Sequence, residues 1–311
     1  MLAPHCPEGK TGACVFRWLV WNVLAREFTY HNQEHHLSGS RLENTRQTRA
    51  RYGKVMSKIK NANADLICLQ ECGKSFLEFE FNPGVDWLRE TYDVYLCAVE
   101  DQPGAAILVR KMGQVVSLSE DGATAVGGRK DTGGPSKIAA VLPVKVDGRE
   151  IWVVSLHLTI DWEFPERRLQ HLDLLAGILE QKPYRDVLLG GDFNCEVKSL
   201  SELASHRLFD QRLHLLTPTC GFVPTGLNGK MDVPKIIDYV WASPSLLLAY
   251  GWFFDIPADP ICPYADWDPC YGASGVCCAS DHVCLCVDFH HLSGAPVSSE
   301  SPSNKMVHSR W

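Results

Sequence analysis

Short apolar runs, each closed by a polar side chain, constrain what this chain can fold into more than any other feature. Six segments end this way: Trp21-Asn22, Gln70-Glu71, Ser155-Leu156-His157, Gly190-Gly191-Asp192-Phe193-Asn194, Ile237-Asp238-Tyr239 and Ser280-Asp281-His282. The runs before most of them are rich in Val, Leu, Ile and Cys and read as buried strands. A strand tip presents an acid, amide or imidazole from a rigid base. Several such tips in one chain imply convergence on a single site.

Between these runs the pattern predicts few helices. Thr45–Asn61 reads as helical, with Val55, Met56 and Ile59 at helix spacing, and Pro165–Glu180 carries Leu169, Leu172, Leu175, Ala176 and Leu179 along one face. Strands are expected over Arg17–Asn22, Leu66–Gln70, Ala105–Val109, Ala139–Val146, Ile151–Leu158, Val187–Asp192, Ile236–Trp241 and Val283–Phe289. Asp147-Gly148 marks a hairpin. The Gly-rich stretch Gly113–Ser136 reads as a mobile loop, and Arg26–Asn44 as a polar, His-rich loop. Strands interleaved with helices indicate a layered α/β domain. The expected organisation is a flexible N-terminus (1–14), one catalytic domain (15–291) and a disordered tail (292–311).

A net charge of -7 argues against an indiscriminate polyanion binder, although a local basic patch remains compatible with nucleic acid. One such patch is Arg41, Arg46, Arg49, Arg51, Lys54, Lys58 and Lys60, for which a solvated helix face is the plainer reading. No apolar run has the roughly 20 residues of a membrane span, and the first residues lack a signal core, so an intracellular protein is expected. The 13 cysteines are odd in number and several fall within strand runs, which suits free thiols. Cys262, Cys270, Cys277 and Cys278 lie close together without the short knuckle spacing of zinc sites, so a Cys-rich loop is expected.

The polar tips suit magnesium and phosphate chemistry. Magnesium takes oxygen ligands, usually one or two carboxylates with water and substrate phosphate. Glu71 is the best single ligand, and Asn22 adds a neutral carbonyl oxygen. Asp192 and Asn194 would point the same way if the chain stays extended, one positioning a nucleophilic water and the other binding a phosphate oxygen. His282 supplies an imidazole that Asp238 would orient, with Asp281 as its neighbour, and His157 a second imidazole. Singly, each has a bland reading as a cap, an Asx turn or a core histidine; their joint occurrence carries the argument.

In this order the segments resemble the endonuclease/exonuclease/phosphatase superfamily, whose members use Asn, Glu, His, Asp-x-Asn, Asp and a closing Ser-Asp-His around magnesium. The resemblance runs from about Arg17 to Phe289. It implies two packed β-sheets flanked by helices, a DNase I-like four-layer α-β-β-α sandwich with the site at one end. It also implies metal ligation by Glu71, Asn22, Asp192, Asn194 and His282, and catalysis by His157, Asp192, Asn194, Asp238, Asp281 and His282. Asn22-Val23-Leu24-Ala25, Arg51, Trp162 with Pro165-Glu166 and Gln170, and Ile237-Asp238-Tyr239-Val240-Trp241 are similar to the deadenylase-like Ccr4/nocturnin/angel branch. Glu71–Ala105 and the Cys-rich stretch Pro257–Ala279 depart from that branch.

The function so implied is a magnesium-dependent phosphodiesterase, with manganese as a substitute, acting as a 3′-exonuclease on single-stranded RNA. Arg51, Arg46 and Trp162 would contact substrate, and Phe28, Tyr30 or Trp162 would stack on a base. The alternatives are the same centre acting on DNA, a phosphotyrosyl–DNA adduct, a nucleotide 2′-phosphate, an inositol phosphate or a phospholipid headgroup, or a non-catalytic binding module of the same fold.

Overall fold

Apolar residues at both odd and even positions of most strand runs mean that both sheet faces must be covered, and the computed structural model meets that demand with four layers. It describes residues 14–26, 44–98, 102–128, 137–159, 165–181, 186–196, 203–209, 213–217, 236–254, 282 and 284–290. The elements in chain order are β1 (Cys14–Asn22), α1 (Thr45–Ala62), β2 (Leu66–Cys72), α2 (Val85–Thr91), β3 (Tyr92–Cys97), β4 (Gly104–Arg110), β5 (Val115–Ser117), β6 (Thr124–Gly127), β7 (Ile138–Val146), β8 (Arg149–His157), α3 (Pro165–Glu180), β9 (Asp186–Asp192), β10 (His214–Leu215), β11 (Asp238–Ala242), β12 (Tyr250–Phe254) and β13 (Leu285–His290).

One sheet has the order β12-β13-β1-β2-β4-β3, the other β10-β11-β9-β8-β7-β5, with β6 also on β7. Each sheet is built around one parallel pair, β1 with β2 and β8 with β9, flanked by antiparallel neighbours. The parallel crossovers carry the helices: α1 joins β1 to β2 and α3 joins β8 to β9. Alternate residues sort into layers. Trp18, Val20, Cys68, Ile107, Val153, Leu188 and Val240 fill the space between the sheets. Leu19, Trp21, Ile67 and Leu69 pack with Tyr52, Val55, Met56 and Ile59 of α1, while Val154, Leu156 and Leu189 pack with Leu172, Leu175, Ala176 and Leu179 of α3.

Three expectations change. Gly113–Ser136 is not wholly a loop: β5 and β6 lie within it and pair with β7. Leu169 is 45 % exposed, and the buried place one helical turn before Leu172 is taken by Arg168. The strands β3, β10 and β12 and the short α2 are additions that the apolar pattern does not announce. Cys68, Cys72, Cys97, Cys195, Cys284 and Cys286 are buried thiols. The 26–44 loop (apart from its ends), Trp162, Cys262–Cys278, Asp281 and both terminal segments (apart from Cys14) lie outside the described residues. Among those described, no helix is long and apolar enough to cross a membrane.

Gly190 sets how closely the sheets approach at the end that bears the site. A Cβ there would lie 2.7 Å from Val20 Cγ2 and 2.9 Å from Trp18 Cζ2, both fixed in the inter-sheet core. Gly190→Ala is therefore expected to destabilise the fold by about 1–3 kcal/mol through overpacking. A denaturation midpoint equal to that of the wild type would contradict this close approach.

Candidate active site

The polar tips meet because of strand direction. In a parallel pair both C-terminal ends fall on the same edge, and an antiparallel neighbour begins where its partner ends. Asn22 pairs with Gln70 at the end of β1 and β2, and His157 with Asp192 at the end of β8 and β9. Asp238, the first residue of β11, pairs with Asp192. His282 lies three residues before the start of β13, which runs antiparallel to β1. The indole Nε1 of Trp21 donates to His282 O at 2.9 Å and ties this segment to the same edge.

Strict alternation places Glu71 on the wrong face. Cys68 lies between the sheets, so Gln70 faces inward and Glu71 should face outward toward α1. The register between β2 and β4 shifts between Gln70 and Cys72, and Glu71 adopts φ 54. This bulge turns the carboxylate inward and returns Cys72 to the outer layer. A non-glycine residue held at positive φ is a local strain that the surrounding pairing must support.

Two strands end in matching Asx turns. Leu24 N donates to Asn22 Oδ1 at 3.0 Å, and Asn194 N donates to Asp192 Oδ1 at 2.8 Å. Leu24 (φ 52) and Asn194 (φ 49) both take the left-handed conformation. The chain beyond Asp192 is thus not extended, contrary to the expectation that Asn194 would point alongside it. Instead Asn194 Nδ2 donates to Leu158 O at 2.9 Å. Arg51 is buried, with NH1 donating to the carbonyls of Val23 (3.0 Å) and Leu24 (2.7 Å), which braces the Asn22 turn.

Asp192 is the hub. Its Oδ2 accepts from Asn22 Nδ2 at 3.0 Å and lies 3.6 Å from His157 Nε2 and 3.7 Å from His282 Nε2. Asn22 Nδ2 also donates to Glu71 Oε1 at 3.2 Å, while Ala25 N donates to Glu71 Oε2 at 3.2 Å. His282 Nδ1 meets Asp238 Oδ2 at 2.8 Å, leaving Nε2 facing Asp192. Burial pushes the Asp192 carboxyl up to about 6, against the opposing pull of His282. Burial likewise drives His157 well below the ordinary histidine value, helped by Lys137 and His282. His157 is therefore neutral at pH 7, and its nearness to Glu71 (3.9 Å) and Asp192 is not an ion pair.

Two triads have donor atoms within 4.8 Å of one another: Glu71 with His157 and Asp192, and Asp192 with Asp238 and His282. Carboxylate oxygens supply two of the three donor atoms in each. The set fits a hard divalent ion. Asn22 presents its amide nitrogen to the carboxylates, with its oxygen on Leu24 N, so in this arrangement it spaces the two acids. Arg46 is exposed on the first turn of α1. Sequence reading missed the link beneath the site: Gln70 Nε2 donates to Ser155 Oγ (2.9 Å), which donates to Leu69 O (3.0 Å), bolting one sheet to the other. Polar residues at inward positions of two apolar strands were the available signal.

The sequence profile of the Endonuclease/Exonuclease/phosphatase family matches residues 19–282. No curated protein matches the chain by sequence. Solved structures match closely in fold at low identity. Truncated TDP2 of Caenorhabditis elegans is 18% identical with a TM-score of 0.60, covering 89% of this chain and 98% of that one. The human nocturnin catalytic domain is 17% identical with a TM-score of 0.55, covering 88% and 93%. ANGEL2, a 2′,3′-cyclic phosphatase solved in complex with adenosine-2′,3′-vanadate, is 16% identical with a TM-score of 0.61, covering 88% and 95%.

Proposed function

Because this chain belongs to the endonuclease/exonuclease/phosphatase family, we propose that it is a magnesium-dependent phosphodiesterase acting on single-stranded RNA from the 3′ end. The observation that carries the reading is the meeting of Glu71, His157, Asp192, Asp238 and His282 at one edge of the sandwich. Glu71 and Asp192, with His157 beside them, would hold the cation. When bound, it supplies positive charge to a non-bridging phosphate oxygen and to the leaving oxygen.

The chain's own groups supply the remainder. Asp192, fixed by the Asn194 backbone N–H, orients the attacking water and takes its proton. Neutral His157 donates from Nε2 to a phosphoryl oxygen as charge builds there. His282, oriented by Asp238, moves a proton at Nε2. Asn194 acts on Asp192 through its backbone, since its side-chain nitrogen is committed to Leu158 O.

The deadenylase-like segments and the likeness to nocturnin and ANGEL2 favour RNA. The similar likeness to TDP2, which from D. rerio is solved in complex with single strand DNA product, supports a second reading, the same centre acting on DNA. Incubation with oligoadenylate, single-stranded DNA, duplex DNA and a 2′,3′-cyclic nucleotide, each with magnesium or with chelator, separates the two. Magnesium-dependent release of mononucleotides from the RNA 3′ end is the expected result. Cleavage of DNA or of the cyclic phosphate alone would overturn the RNA assignment, and inertness toward all four would overturn the hydrolase reading.

A further inference from the structure

We propose that Phe79, with the guanidinium groups of Arg49 and Arg26, forms a stacking platform for an unpaired base of single-stranded nucleic acid beside the catalytic edge. The proposal rests on the phosphodiesterase reading above and names a base subsite for it. Phe79 is 58 % exposed, which leaves its ring accessible. The Arg49 guanidinium lies 5.1 Å from its centroid. Two residues on, Phe81 packs against the core beneath α1, and Arg26 covers its ring at 4.8 Å. Rings and guanidinium planes of this kind are the surfaces on which splayed bases stack.

The platform is preorganised. Arg49 NH1 donates to the carbonyls of Phe79 (2.6 Å) and Glu80 (3.2 Å). Phe81 N and Asn82 N both donate to Glu78 O, and the buried Asn82 side chain donates to Phe76 O at 2.7 Å. A turn fixed beforehand loses little entropy on binding. It is also joined to the site through short stretches of chain. Arg26 directly follows Ala25, whose N–H holds the Glu71 carboxylate, and the Phe79 turn follows the short 3-10 helix that begins three residues after Glu71.

Local charge selects the partner. Arg26, Arg46 and Arg49 favour an anion, whereas exposed Glu78 and Glu80 oppose the dense phosphate array of a duplex. Stacking on an unpaired base remains favourable under that balance.

The test is fluorescence anisotropy with labelled oligoadenylate and oligodeoxyadenylate of about ten nucleotides, within the range of single-strand site sizes, and with the corresponding duplex. Phe79→Ala should raise Kd for both single strands about tenfold, as expected for loss of one stacked base, and Phe79→Trp should restore it. Met112→Ala, a 96 % exposed residue in the turn after β4, should change nothing. Wild-type affinity in Phe79→Ala, or equally tight binding of duplex, overturns the platform. Hydrolysis of bis(4-nitrophenyl) phosphate by the wild type with magnesium is measured in parallel. Its absence overturns the phosphodiesterase reading alone, because the platform is judged by Kd.

Discussion

Asp192→Asn is expected to lower magnesium-dependent turnover roughly a thousandfold, the scale for losing a positioned base that also neutralises the metal. The same change should stabilise the metal-free protein at alkaline pH. With its folded value pushed up to about 6 from 3.8, the Asp192 carboxyl binds protons more tightly when buried than when unfolded. Its favourable contribution is complete below about pH 4 and disappears as pH rises through 6. At pH 8 the ionised group costs roughly 2–3 kcal/mol, and an asparagine avoids that cost. Thermal melts in chelator at pH 5 and pH 8 should show the wild type losing more stability than the variant over this interval. A variant with full turnover, or with the wild-type pH response, would contradict the role of Asp192 as hub.

Removal of Glu71 should be as damaging and should act through the cation. Glu71→Ala leaves Asp192 and His157 as an incomplete donor set and is expected to cost several kcal/mol of transition-state stabilisation, about a thousandfold or more in rate. Titration calorimetry should show weakened magnesium binding in parallel. Because Glu71 sits in a bulge at positive φ, its loss need not harm the fold, and Glu71→Gly relieves the backbone strain while deleting the carboxylate. A Glu71→Gly protein that folds, binds magnesium as the wild type does and turns over normally would sink the assignment.

Much of the fold was legible before any coordinates. The eight runs read as strands are strands, and α1 and α3 end within a residue of the expected bounds. Their apolar residues recur with the periods of the two structures, and that signal is local. The shorter pieces were not legible. Strands such as β5, β6 and β10 bury few side chains and exist because β7 or β11 offers an open edge. On α3, Leu169 looked like core by spacing, yet Arg168 faces the sheet. A one-residue rotation of a helix is set by what it packs against, not by its own period.

The candidate site divides in the same way. Which residues gather was readable from the strand tips: Glu71, His157, Asp192, Asp238 and His282 are acids and imidazoles closing apolar runs, and they come together at one edge. How each is presented was decided only by the assembled sheets. The Glu71 carboxylate faces inward because β4 imposes a register shift on β2. The Asn22 oxygen accepts from the nearby Leu24 N, the Asn194 side chain donates to the distant Leu158 O, and the Arg51 guanidinium braces the Asn22 turn. Alternation along a strand assumes an extended backbone paired in constant register. Bulges and left-handed turns break that assumption, and the bulge at Glu71 arises between strands β2 and β4, which are far apart in the chain.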